Sequence, residues 1–305
     1  MMKEPLVSVL VITYHSAWSV VQTLDSIATQ TYGPIELVVS DDGSKDDTVA
    51  VIRDWIAGHE GRFQDCVIRA GEENVGIPKN INAGIRLCTG KYIKLIAGDD
   101  LLMENCIADN VAGCQELGVP YLFTWLVKFS DTPDGRKWWD EPVNEMFFAA
   151  SAAEQYDMLL RKNHVFGPLF FCEKAFIEEM GLYDERYRML EDYPMWLKMT
   201  SSGHRLHFKN IPTVAYRISE TSVSNGSGQR VVNVNYFKCY RTFFYDQIFP
   251  SLVRRFQPVK LLMHWRDFVY RWIIIWLGND RSKRRVRFVE YFHQRKYLYR
   301  SSGVR

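Results

Sequence analysis

The chain has 305 residues, 47% apolar, 14% aromatic and 24% charged, which is enough apolar side chain for a large packed core and excludes a disordered or fibrous polypeptide. The net charge of +2 hides a split: residues 251–305 hold 14 Lys or Arg against 3 Asp or Glu, a net of +11, while the other 250 hold 24 against 33, a net of −9. A mildly acidic body joined to a strongly basic end predicts an anionic partner for that end.

The first apolar run, "LVSVLVITY" over 6–14, is rich in β-branched residues and predicts a strand covered on both faces. With one Lys beside a Glu and no small-residue cleavage site, it reads as a mature first strand and not a leader. "SVVQTLDSIATQ" follows as a helix, with Ser19 and Gln22 spaced for a capping box. Residues 35–42 form a second buried strand, and a second helix begins near Ser44 as its N-cap and stops at Gly58. Residues 65–71 make a third strand, and the following helix carries Pro78 in its first turn. A fourth strand, "KYIKLIAG", leads to Gly98, Asp99 and Asp100, and a fourth helix runs from Met103 to Leu117.

Strands alternating with helices over short connections predict a doubly wound, mostly parallel, Rossmann-like α/β sheet. Such sheets bind ligands beyond the carboxyl ends of their strands. Thr13 and Tyr14, Asp41 and Asp42, and Asp99 and Asp100 all fall there.

After Pro120 the alternation weakens. A strand over 121–130 precedes a turn-rich loop over 131–142 that contains Trp138 and Trp139, and a short helix spans 152–162. Another helix begins near Asp192, and 204–219 is strand-like with a proline interruption. Residues 220–230 read as a polar loop, and from 231 onward the chain is helical, basic and aromatic. The six cysteines show neither CxxC nor a His-paired metal spacing, so free thiols of a reducing compartment are expected. No apolar run is long enough for a transmembrane helix.

Adjacent carboxylates at a binding rim have few stable solutions. Asp99 and Asp100 can share a proton, face an Arg or Lys, or hold a divalent cation against a substrate diphosphate, unless they only cap the next helix from a solvated turn. In "SDDGSKDDT", Ser44, Asp46 and Asp47 suffice for capping, which leaves Asp41 and Asp42 without a local task.

Three segments carry a family resemblance. "VSVLVITYHSAWSVVQTLDSIATQTYGPIELVVSDDGSKDDT", "NVGIPKNINAGIRLCTGKYIKLIAGDD" and "GLYDERYRMLEDYPMWLKM" resemble, in order, the opening, the DxD-type segment and the acceptor-side Glu-Asp segment of the family-2 glycosyltransferases. The resemblance covers roughly residues 6–220 and implies a GT-A fold. It also implies inverting, metal-dependent transfer of a hexose from a nucleotide diphospho-sugar, a UDP-sugar before others, to a hydroxyl. Carried over, Thr13 and Tyr14 line the nucleoside, Asp41 reads the base, Asp99 lies near ribose or metal, and Asp100 binds Mn²⁺ or Mg²⁺. Asp192 is the general base, with Glu191 second. Three departures stand out: Gly98 leaves two acids where relatives have three, Lys79 replaces an Arg at the phosphates, and Ser219 stands where relatives have His.

These readings predict a GT-A catalytic domain over 1–225, nucleotide-binding to 120 and acceptor-side after it, followed by a helical region over 226–305. The basic aromatic end fits an anionic membrane surface, and no base-reading motif accompanies it to suggest nucleic acid. A structural cap over the sheet is the other reading of that region. The enzyme is then expected in the cytoplasm, peripheral on the inner face of the membrane. There it would build surface polysaccharide such as O-antigen on a lipid-linked saccharide acceptor. A sugar nucleotidyltransferase and a non-catalytic nucleotide-sugar scaffold are the competing readings. The first lacks support in "TYHSAWS", which has no Gly, Lys or Arg.

Overall fold

The computed structural model describes residues 4–59, 61–132, 134–218 and 230–291. They divide into two compact units, Met1–Ile218 and Ser219–Arg305. The 219–229 stretch, with Ser219 and most of the expected polar loop, lies outside the described residues.

In the first unit, β1 (Val7–Thr13), β2 (Ile35–Asp41) and β4 (Tyr92–Ala97) are buried along almost their whole length, as expected of apolar runs covered by helices on both faces. β1 pairs in parallel with β2 and β4, and β2 with β3 (Asp65–Ala70). In register, Thr13 sits opposite Asp41 and Ile12 opposite Ala97, so three strands end on one rim. The expected helices between them are α1 (Val20–Ala28), α2 (Thr48–Ala57) and α3 (Ile77–Leu87). The fourth, α4 (Cys106–Leu117), starts three residues later than expected, and before it Leu101–Leu102 forms a short strand, β5, antiparallel to the last strand of the sheet.

The second half of this sheet is where sequence pattern and structure part. β8 (Phe170–Glu173) inserts antiparallel between β4 and β6 (Tyr121–Thr132), and β9 (Phe208–Arg217) pairs in parallel with β6. The order is β3-β2-β1-β4-β8-β6-β9-β5. Pro212 is accommodated in β9 where its register against Trp125 and Leu126 shifts, the kind of irregularity in which a strand tolerates a missing N–H. The expected loop over 131–142 is largely a strand: β7 (Gly135–Asp140) folds back on β6 as a hairpin. Every residue of β7 is exposed, so no apolar alternation marked it. Trp138 packs on Phe129 at 5.3 Å, and both Trp138 and Trp139 stay about half exposed. Two short helices, α5 (Glu145–Ala149) and α6 (Ala152–Leu159), precede β8, and α7 (Lys174–Glu179) and α8 (Asp192–Ser201) follow it.

Two expected caps are not formed. Ser19 does not cap α1; its hydroxyl donates to the Gly98 carbonyl at 2.7 Å, and Gln22 accepts from Arg136 and Arg217. Ser44 does not cap α2, which starts after Asp47; its hydroxyl donates to Asp41 instead. In both cases a buried acceptor outside the helix takes the hydroxyl, distant in the chain for Ser19 and three residues back for Ser44.

The second unit packs α9 (Val234–Phe243), a π turn over Phe244–Ile248, α10 (Phe249–Arg254) and α11 (Pro258–Trp276), with a further helical stretch over 284–291. Phe237, Phe244, Leu252, His264 and Phe268 form its core. Asn279 ties its two ends together, accepting from the Val231 and Val232 N–H groups and donating to the Val232 carbonyl.

Candidate active site

The rim is built from the β1, β2 and β4 ends. Asp41 is buried and accepts from Thr13 Oγ1 at 2.7 Å, Ser44 N at 2.8 Å and Ser44 Oγ at 2.6 Å. Asp42, also buried, accepts from the Val75 and Gly76 N–H groups at 2.8 and 3.0 Å. Burial raises the Asp42 carboxyl above its usual range, against those two donors and the Arg188 and Arg69 charges. Both acids therefore have structural tasks that spacing did not reveal, Asp42 entirely with groups distant in the chain. Gly43 makes the turn possible: its φ is +77°, and a Cβ there would lie 2.6 Å from the Glu73 backbone.

Tyr14 is exposed on the rim, edge-on to His15 at 4.2 Å. Lys79 is exposed in the first turn of α3 and forms no ion pair with another described residue. Gly98 explains its own departure from the family pattern. A Cβ at this position would meet Thr13 Cγ2 at 2.8 Å and Ser16 Oγ at 3.3 Å, so the space a third acid needs is filled by its neighbours.

Beyond Gly98, Asp100 is buried and Asp99 half-buried. Asp100 Oδ1 accepts from Arg217 N at 2.8 Å, and the Asp99 carbonyl accepts from Arg217 Nε at 2.6 Å. Burial raises both carboxyls, Asp100 well above its usual range with the Asp99 charge adding to it, while Arg217 opposes the rise in each. Arg217 itself is 3% exposed, pairs with Asp131, donates to Gln22 at 2.9 Å and lies over the Phe129 ring at 4.5 Å. The cation that holds the acidic pair thus comes from the last residue of β9, more than a hundred residues away in the chain. Sequence reading passed over it because nothing local distinguishes the "YR" of a late strand.

Among the described residues no cluster of three or more His, Cys, Asp or Glu could hold a metal by itself. His204 and His207 pack around Tyr121, with ring centroids at 6.2 and 5.7 Å. The Asp99–Asp100 pair nevertheless fits Mg²⁺ or Mn²⁺, which commonly take one or two carboxylates and complete their shell with phosphate oxygens and water. The Asp99 carboxylate takes a donor only from its own backbone among the described residues, and Asp100 a single donor on one oxygen, so oxygens remain for a cation.

The second acidic pair opens α8. Glu191 is the residue before the helix and Asp192 its first. Asp192 accepts from its neighbour Tyr193 N at 2.6 Å and from Asn163 Nδ2 at 2.8 Å. Val165 N donates to Asn163 Oδ1 at 3.1 Å, which turns the NH₂ end of the amide towards Asp192. Burial pushes the Glu191 carboxyl up to about 8, with the Asp192 charge adding to the rise. Asp192 is also raised by burial, but only to about 6, because the Tyr193 N–H, Asn163 and its own backbone donate to it and favour the charged form. A helix N-terminus favours an ionised acid, but here burial outweighs it, and Asn163 offsets part of the rise in Asp192. Of the two, Glu191 holds its proton more tightly and Asp192 carries charge more readily.

The two acidic regions are mechanically linked. The Arg188 carbonyl accepts from Ile77 N at 2.8 Å and its guanidinium donates to Asn74 at 2.9 Å, beside the Val75–Gly76 amides that Asp42 holds. From β4, buried Lys94 donates to the Pro168 carbonyl at 2.6 Å. It thereby anchors the turn whose Gly167 packs against Glu191 and Asp192.

With this geometry in view, the likenesses to known proteins are informative. Residues 8–172 match the family described as glycosyl transferase family 2, more than half of the chain, and the protein belongs to that family. The chain is 24% identical over 270 residues to a PGL/p-HBAD biosynthesis glycosyltransferase of Mycobacterium tuberculosis, covering 87% of this chain and 99% of that protein. It is 23% identical over 229 residues to an uncharacterized glycosyltransferase of Rickettsia typhi, covering 73% and 67%. Among solved structures it resembles S. aureus TarS residues 1–349 in complex with UDP-GlcNAc, with a TM-score of 0.59 and 17% identity. That match covers 78% of this chain and 65% of the TarS chain, and a longer TarS structure is covered over 37% of its length. The fold is GT-A, as expected, and the protein is a glycosyltransferase, which decides against the nucleotidyltransferase reading.

Proposed function

We propose that the protein is an inverting hexosyltransferase that moves a sugar from a UDP-sugar to a hydroxyl of a lipid-linked saccharide, in surface polysaccharide synthesis at the inner face of the membrane. One observation carries the reading: Glu191 and Asp192 are adjacent, burial raises both carboxyls, and Asn163 and Tyr193 N favour the charged form of Asp192. Pairs of titratable groups pushed apart in this way mark acid and base assignments.

In this mechanism Thr13 and Tyr14 line the nucleoside. Asp41 uses three of its roughly four acceptor positions internally and keeps one for an N–H of the base. Lys79 offers the phosphates a point charge and not a fork. Asp99 and Asp100 would hold Mn²⁺ or Mg²⁺, which when bound neutralises charge on the departing diphosphate. Asp192 accepts the proton of the acceptor hydroxyl as its oxygen attacks the anomeric carbon opposite the diphosphate. Glu191, carrying its proton, adds no second negative charge to the site. The UDP and UDP-GlcNAc bound in the TarS structures support a UDP-sugar donor here. The mycobacterial relative, a glycosyltransferase of PGL/p-HBAD biosynthesis, supports a biosynthetic glycosyl transfer here.

The test is to measure UDP-sugar binding and UDP release side by side in Asp192→Asn. Donor affinity stays within a few-fold while turnover falls about 10²–10⁴-fold. Near-normal turnover in Asp192→Asn with a large loss in Glu191→Gln would move the base to Glu191, and intact turnover in both would refute the mechanism.

A further inference from the structure

The outer face of α11 breaks the usual rule for a surface helix. Val259, Leu262, Trp265, Val269, Trp272 and Trp276 recur every three or four residues and are 50–83% exposed. None of the charged residues of α11 is among its fully exposed positions. The opposite face is also apolar and already occupied, with His264, Phe268 and Ile274 buried and Phe268 against Phe244 at 5.0 Å. An amphipathic helix at a water boundary turns charge outward. This one turns tryptophan outward, and a contiguous stripe of that kind marks a docking surface.

Charge selects the occupant. Residues 230–291 carry 13 Lys or Arg against 4 Asp or Glu, and Arg254, Arg255, Arg281, Arg284, Arg285 and Arg287 are exposed. A second copy of this chain would bring the same positive surface against itself. An anionic lipid surface accepts both the aromatic stripe and the arginines. No helix among the described residues is long and apolar enough to cross a membrane. The 19 residues of α11, about 28 Å long, suit a helix lying in the plane of the interface.

We propose that this face of α11 docks the protein on a bilayer rich in anionic phospholipid, with the Trp265, Trp272 and Trp276 rings in the headgroup boundary and the arginines on the phosphates. The inference deepens the reading of a lipid-linked acceptor and rests on it for its purpose, since docking would bring the enzyme to the surface where that acceptor resides.

The experiment uses the full chain, co-sedimented with vesicles of phosphatidylcholine with and without one third phosphatidylglycerol. The control is Leu262→Glu/Trp276→Glu, two strongly exposed positions whose replacement leaves the core intact. UDP binding by calorimetry accompanies each sample. The wild type binds the anionic vesicles, releases them as salt rises to about 0.5 M, and the double variant binds at least about tenfold more weakly with unchanged UDP affinity. No binding by the wild type, or equal binding by the variant, overturns the proposal. So does a wild-type dimer that the variant abolishes without any vesicle binding, which would assign the face to a second copy. Vesicle binding without UDP binding would instead count against the catalytic reading and leave the docking face standing.

Discussion

Asn163→Ala tests the division of labour between Glu191 and Asp192 most directly. The substitution removes one donor to the Asp192 carboxylate, the 2.8 Å amide bond, and leaves the Tyr193 N–H in place. Hydrogen bonds to charged groups contribute about 1.5–3 kcal/mol, and Asp192 is half-buried, so the lower figure applies. At 1.36 kcal/mol per pH unit, about 1.5 kcal/mol raises the protonation of Asp192 by about one unit from its starting point near 6. The sign follows from which form the amide favours. It donates to the ionised carboxylate, so without it the proton is held more tightly and less base is available on the acid side. Tyr183, whose phenol burial raises well above its usual range, faces the same pair and stays neutral throughout. In a kcat/KM profile against pH, the acid limb moves up by about one unit. The rate falls about tenfold near pH 5.5 and recovers to within about threefold near pH 9. Asn163→Asp, which sets a third carboxylate against the pair, moves the limb further in the same direction. UDP affinity is the control and should not change. An acid limb that stays in place, or a loss of equal size at every pH, refutes the argument.

Three further outcomes are expected. Asp100→Asn keeps an acceptor for Arg217 N but loses charge, so calorimetry should find UDP affinity insensitive to Mn²⁺; an unchanged metal dependence would remove Asp100 from the metal site. Gly98→Asp, which restores the third acid of the family pattern, should destabilise by about 2–4 kcal/mol in urea unfolding through its clash with Thr13 and Ser16 and the added buried charge. A stable variant would show that the site opens easily. Burial raises the folded-state carboxyl of Glu191 from 4.5 to about 8, so its contribution to stability is full below 4.5 and lost as pH rises through about 8. The melting temperature of Glu191→Gln should therefore gain on the wild type between pH 4 and pH 9, and a constant difference would contradict the raised carboxyl.

The first hundred residues were legible because their physics is local. β1, β2 and β4 are apolar runs that end abruptly on polar residues, and a parallel sheet places such ends on one rim whatever the details of packing. The positions of Thr13, Asp41, Asp99 and Asp100 on that rim, and of Asp192 at the start of α8, follow from periodicity and turn residues alone. β7 was not legible, since a fully exposed hairpin strand has no buried face to impose alternation. β8 is four residues long and takes its identity from being inserted between β4 and β6. The groups that tune the site were the least visible. Arg217 reaches Asp100 from the end of β9, Asn163 reaches Asp192 from a loop, and Lys94 secures the Gly167 turn from beneath the sheet. Composition likewise marked the C-terminal region as basic and aromatic, while the outward direction of the α11 tryptophans depended on which face the core of that unit had already taken. The sequence by itself determined which groups carry charge and roughly where along the chain each strand ends. Only the tertiary structure decided which buried charge meets which donor, because that depends on contacts between residues far apart in sequence and on how much water their meeting excludes.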